Sequence, residues 1–168
     1  RILDVCAAPG GKSGHAACVV EPDGVVVAAD VSEARLRLVR GTAERLGVRT
    51  LLVLQDGRRP AVREGFDRVL VAGLSRLQVG IATAAAGLVA TGGRLVYSVC
   101  TFPRAETDAV CDALLRRRPD LEPEPIEGPD GLEERTRLWP HRHGSDAMFV
   151  AAFRRMGSDL RRREPAHR

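Results

Sequence analysis

The chain has 168 residues, 44% of them hydrophobic and 29% charged, with a formal net charge of +4. That is one domain's worth of chain with material for a proper core, and no apolar run reaches the roughly 18–20 residues that a membrane-spanning helix needs. Four cysteines, Cys6, Cys18, Cys100 and Cys111, form no CxxC pair, which argues against a zinc ribbon or a redox pair and for reduced thiols in a cytoplasmic setting.

The charge excess is local. Residues 154–168 carry six Arg against Asp159 and Glu164 and account for all of it, so the body of the chain is neutral. A short basic tail of this kind reads as a solvated end rather than a binding surface. The expected organisation is one domain over 1–153 followed by the tail 154–168. Because residue 1 is Arg and lies inside what reads as a core strand, a part upstream of it is expected.

Strand and helix alternate from the start. Arg1–Val5 reads as a short buried strand, followed by a loop and a helix over about Lys12–Val19. The turn Glu21–Gly24 introduces a second strand, Val25–Ala29. Ser32 is a good N-cap for a helix over Glu33–Leu46, closed by Gly47. Arg49–Leu54 and Phe66–Val71 are further strands. An alanine-rich helix follows over about Leu74–Ala90, and Gly92-Gly93 turns into the strand Arg94–Val99. Ala105–Arg117 reads as a helix, Leu121–Ile126 as a strand despite its prolines, and Ala147–Phe153 as the last strand. Gly128–Gly144 reads as a long polar loop. Parallel strands joined by helices give a doubly wound α/β sheet, and the last two strands, lacking a helix between them, pair antiparallel at one edge.

In such a sheet a ligand lies beyond the carboxyl ends of the strands. Pro9-Gly10-Gly11 after the first strand permits close backbone approach, and the helix that follows offers free amides to an anionic group. Asp30 ends the second strand, where a carboxylate can accept both hydroxyls of a ribose. Asp56 follows the third and suits an adenine amine. Singly, these are a tight turn and two caps; in register they indicate a cofactor loop. Gly11-Lys12-Ser13 matches the end of a phosphate-binding P-loop, but its first position is Cys6 rather than Gly, and no acidic residue ends a strand near Val71. G-x-G-x-x-G is absent as well, which leaves an S-adenosylmethionine loop.

Cys100 follows the strand-forming run Leu95–Val99 and stands where catalytic groups collect. A free cysteine is most often a small buried hydrophobe, the reading adopted for Cys18 and Cys111 inside helices. At a strand's carboxyl end a thiolate nucleophile is the stronger reading.

The runs LDVCAAPGGKS (3–13), GGRLVYSVCT (92–101) and RLWPHRHGSDAMF (137–149), with Asp30 and Asp56, resemble the Sun (Fmu, NSUN-type) family of RNA cytosine-5 methyltransferases. The resemblance spans residues 1–153. It implies a Rossmann-like S-adenosylmethionine-dependent methyltransferase sheet, an RNA substrate, expected to be ribosomal, and no metal. It also implies that Cys6, Ala7, Ala8, Pro9, Gly10, Gly11, Lys12, Asp30 and Asp56 hold the cofactor. Cys100 would attack carbon 6 of cytosine, carbon 5 would take the methyl group, and loss of the carbon-5 proton with expulsion of the thiol would restore the ring.

One departure matters. The family continues its fourth strand into Asp-Ala-Pro-Cys-Ser-Gly and a long base-holding segment, with a second cysteine that helps release product. Here Val71 runs directly into Ala72-Gly-Leu-Ser. The expectation is that Ala72 is not bonded to Val71 and that an active-site segment is missing between them, since both flanks fit the family. A true deletion would instead make the chain a non-catalytic S-adenosylmethionine-binding relative. A small-molecule methyltransferase on the same fold fits Cys100 poorly.

Overall fold

The computed structural model describes residues 1–72 and 77–157. In chain order the strands are β1 (Ile2–Asp4), β2 (Val26–Asp30), β3 (Leu51–Leu54), β4 (Phe66–Ala72), β5 (Val89–Val99), β6 (Leu121–Glu124), β7 (Ile126–Gly128), β8 (Gly131–Glu133), β9 (Arg135–Leu138) and β10 (Met148–Arg155). The α-helices are α1 (Gly11–Val19), α2 (Glu33–Leu46), α3 (Gln78–Ala86), α4 (Asp108–Arg117) and α5 (Pro140–His143). The main sheet runs in the order β3-β2-β1-β4-β5-β10-β6, with β9 also pairing β10. β1 to β5 pair parallel, and β10 runs antiparallel to β5, β6 and β9.

Both faces of the sheet are covered, and β2 shows why its sequence is a continuous apolar run. Its residues alternate between two clusters: Val27 and Ala29 join the larger core with Leu3, Val69, Ala82, Ala85 and Leu114, while Ala28 meets Leu36 and Val39 of α2. α1 packs with α2, and α3 packs with α4. α2 is bounded as its sequence indicates: the Ser32 side chain accepts the Arg35 N–H, and Gly47 closes the helix at φ +66°.

Elsewhere the boundaries differ from the sequence reading. The helix expected over Leu74–Ala90 is α3, ending at Ala86, and its expected first residues lie outside the described ones. β5 begins before the glycine pair, at Val89. Its register to β4 jumps from Phe66↔Val89 to Arg68↔Arg94, so Gly92 and Gly93 form an irregularity inside the strand rather than a turn into it. Gly92 sits at φ +76°, and a Cβ on Gly93 would stand 2.9 Å from the carbonyl oxygens of Asp67 and Ala90. The helix expected from Ala105 is a 3-10 turn at Arg104–Glu106 followed by α4. Gly128–Gly144 is not a loop: it holds the β7–β8 hairpin, β9 and α5. Ladder bonds to β10 satisfy the β9 backbone, which local polarity does not reveal. β10 continues to Arg155, two residues beyond 153, and residues 158–168 of the tail lie outside the described ones. β4 ends on Val71 and Ala72, paired with Tyr97 and Ser98 of β5.

Two carboxylates tie β6 to the sheet. Glu124 accepts from Arg94 Nε at 2.8 Å and also pairs with Arg154. Asp120 accepts from Arg118 Nε at 2.8 Å and lies 3.3 Å from Arg155 Nε. Hydrogen bonding to Arg94 and Arg118 respectively is the largest influence on them, and both are held down at about 2. A carboxylate whose folded pKa lies below its unfolded value stabilises the fold above the unfolded pKa and loses that contribution as pH falls through the folded one. Thermal unfolding should therefore show stability declining from about pH 4.5 to pH 2. Each pair should contribute on the order of 1 kcal/mol after screening. The double variant Glu124→Gln, Asp120→Asn should have a shallower acid slope; an unchanged slope would place the acid-sensitive groups elsewhere.

Candidate active site

The carboxyl ends of β1, β2, β4 and β5, with the loop after β3, surround a cleft of about 760 Å³, within the size range of small-molecule sites. Among its lining residues are Cys6, Ala7, Ala8, Pro9, Gly11, Lys12, Asp30, Asp56 and Cys100. Nine of the ten residues singled out in the sequence therefore converge on one cleft. The tenth, Gly10, does not line it. It adopts φ +106° and faces α2, where a Cβ would stand 3.0 Å from Val39 Cα and 3.1 Å from Thr42 Cβ. Its role is to turn the chain into α1 against α2; at Gly11 a Cβ would meet nothing within 4 Å.

Asp30 ends β2 and is 2% exposed. Its Oδ1 accepts the Ser32 N–H at 3.1 Å, and its Oδ2 accepts the Ala8 N–H at 3.4 Å with Arg35 at 3.4 Å. The carboxylate thus pins the loop after β1 and the entry to α2, and it keeps lone pairs for a ligand. Asp56 is already engaged. Arg58 Nε donates to both of its oxygens at 3.0 Å, and the Arg58 N–H donates to Oδ1 at 2.9 Å. That grip holds the Asp56 carboxyl at about 2, so Arg58 is part of this end of the cleft.

The two cysteines in the cleft differ. Cys6 is half-buried, and burial first, then the neighbouring carboxylates Asp4 and Asp30, push its thiol up to about 11. It stays protonated near neutral pH and is a poor nucleophile. Cys100 is exposed, one residue past β5. Cys111 is buried as expected, with its thiol pushed up to about 12 by burial. Cys18 is exposed, contrary to the buried position expected of it, because it falls on the outer face of α1.

Asp4, Arg35, Arg58 and Ser98 also line the cleft and were missed by the motif reading. Asp4 had a signal, an acid ending an apolar strand before a glycine turn. It is 1% exposed; its Oδ2 accepts from Ser13 Oγ at 2.7 Å, and its Oδ1 has no protein partner among the described residues. Burial raises its carboxyl above the usual range.

This donor set fits S-adenosylmethionine. A buried carboxylate oxygen without a partner suits an ammonium group, the uncapped α1 N-terminus suits a carboxylate, and Asp30 suits a ribose. When bound, that molecule supplies an electrophilic methyl group. The sheet order, with its antiparallel strand beside β5, and the cleft at the strands' carboxyl ends define an S-adenosylmethionine-dependent methyltransferase fold. Within that class the chain belongs to the 16S rRNA methyltransferase RsmB/F family, which it matches over residues 1–73 and 71–154.

Its relatives include the 28S rRNA (cytosine(4447)-C(5))-methyltransferase of Homo sapiens, 32% identical over 205 residues, covering 95% of this chain and 25% of that protein. The tRNA (cytosine(72)-C(5))-methyltransferase of Pyrococcus horikoshii is 30% identical over 182 residues, covering 92% of this chain and 47% of the relative. The crystal structure of NSun6 from P. horikoshii with SFG superposes with a TM-score of 0.81 at 28% identity, over 94% of this chain and 48% of that one. The chain spans less than half the length of each. No helix among the described residues is long and apolar enough to cross a membrane.

Proposed function

We propose that the protein transfers a methyl group from S-adenosylmethionine to carbon 5 of cytosine in RNA, through a covalent bond between Cys100 Sγ and carbon 6 of the base. The observation that carries this reading is the exposed Cys100 in one cleft with Asp30 and the loop Cys6–Lys12. Cys100 attacks carbon 6; carbon 5 takes the methyl group; loss of the carbon-5 proton and departure of the thiolate restore the ring. Kinship to rRNA methyltransferases favours a ribosomal substrate and a cytoplasmic setting. Radiolabelled S-adenosylmethionine incubated with RNA and the full-length protein should yield label in 5-methylcytidine. Label in another nucleoside would overturn the reading.

A second reading, a non-catalytic S-adenosylmethionine-binding relative, follows if the gene joins residues 71 and 72 directly. Against it, the family match divides at residues 71–73, and the 205- and 182-residue alignments are longer than the whole chain. Both are what a segment missing after β4 would produce. Sequencing the gene across codons 71 to 73, beside the label assay, separates the two. An uninterrupted gene with no 5-methylcytidine formed supports the non-catalytic protein.

A further inference from the structure

Cys100 leaves β5 into Thr101–Pro103, a stretch without regular structure, so something must decide where the nucleophile sits. β5 and β9 both run antiparallel to β10, and therefore in the same direction. Val99 and Arg137 stand level with each other, each paired to Phe149 of β10. Beyond that level β5 leads to Cys100 and Phe102, and β9 leads to Leu138 and Trp139. The Phe102 and Trp139 rings stack with centroids 4.2 Å apart and an interplanar angle of 25°.

Trp139 is itself tied down. Its N–H donates to His143 Nδ1 at 2.9 Å, and its carbonyl accepts the N–H groups of Arg142 at 3.0 Å and His143 at 2.8 Å. At the other end of the stretch, the Pro103 carbonyl accepts from Thr107 Oγ1 at 3.0 Å and from the Glu106 N–H at 2.9 Å. Cys100 thus sits on a short span clamped by the strand behind it, the aromatic stack two residues ahead, and the turn at Pro103.

We propose that Trp139, through its stack on Phe102, is a positioning residue that sets where Cys100 Sγ meets the base. This rests on the nucleophilic role proposed for Cys100. A nucleophile misplaced by about 1 Å loses on the order of a hundredfold in rate, and loss of the stack releases the span between two fixed ends.

The test compares full-length wild type, Trp139→Ala, Trp139→Phe and Phe102→Leu. The readouts are the rate of covalent trapping by RNA carrying 5-fluorocytosine, the affinity for S-adenosylhomocysteine, and the pH profile of Cys100 alkylation by iodoacetamide. Trp139→Ala and Phe102→Leu should trap at least about tenfold more slowly, and Trp139→Phe should recover to within about threefold of wild type. Cofactor affinity and the alkylation profile should be preserved, because the small reagent needs an exposed thiol but no alignment with a ring. Trapping by Trp139→Ala at the wild-type rate overturns the proposal, as does an alkylation profile that shifts in step with trapping, or a Trp139→Phe variant as slow as Trp139→Ala. A wild-type protein that traps nothing would instead fail the nucleophile reading itself and remove this inference with it. Trp139 is the single tryptophan, so its emission confirms independently that the stack is lost in Phe102→Leu.

Discussion

Replacing Cys100 with serine is expected to abolish both the covalent adduct on 5-fluorocytosine RNA and methyl transfer. A serine hydroxyl is far less acidic and far less nucleophilic than a cysteine thiol, so it cannot replace the attacking sulfur. Fluorine cannot leave carbon 5 as the proton does, so the adduct accumulates and is countable by gel shift or mass spectrometry. Cys18→Ser, at an exposed position, should leave activity unchanged. Cys111→Ser should leave activity largely intact but lower stability by about 1–3 kcal/mol, because it buries a hydroxyl where a thiol packs at 0% exposure. A Cys100→Ser enzyme that still methylates would assign the nucleophile to another residue. An adduct lost only with Cys18 or Cys111 would show that β5 does not present the reacting thiol.

Asp30→Ala should weaken S-adenosylmethionine binding by about tenfold or more in calorimetry. Hydrogen bonds from a ribose to a carboxylate contribute on the order of 1.5–3 kcal/mol, and 1.4 kcal/mol is a tenfold change in affinity. Asp30 also accepts the N–H groups of Ala8 and Ser32, so alanine loosens the cofactor loop as well. Asp30→Asn retains an acceptor and separates the two effects. If asparagine restores thermal stability but not affinity, the carboxylate acts on the ligand. Unchanged affinity in both variants would mean that the ribose does not lie at Asp30.

The alternation of elements, the glycine turn between β1 and α1 and the strand-end cysteine were legible in the sequence because each is a local pattern. An apolar run such as Val26–Ala29 reads as a strand buried on both faces, Ser32 and Gly47 bound a helix by capping, and Gly10 precedes a helix. Placing ligand residues at the carboxyl ends of such strands then needs only the fold class. Their convergence on one cleft followed from that rule.

Tertiary structure decided what depends on partners distant in sequence. β9 is a strand because β10 satisfies its backbone, although its own residues read as a polar loop. Gly10 faces α2 rather than the cleft, and Asp4 is buried with one oxygen that has no hydrogen-bond partner among the described residues. Burial separates the two cleft cysteines: it pushes the Cys6 thiol up and leaves Cys100 exposed to solvent. The stack of Phe102 on Trp139 joins residues 37 positions apart through a register passed across three strands. Periodicity and capping determine local elements, whereas strand pairing, burial and side-chain meetings are long-range and exist only once the sheet has closed.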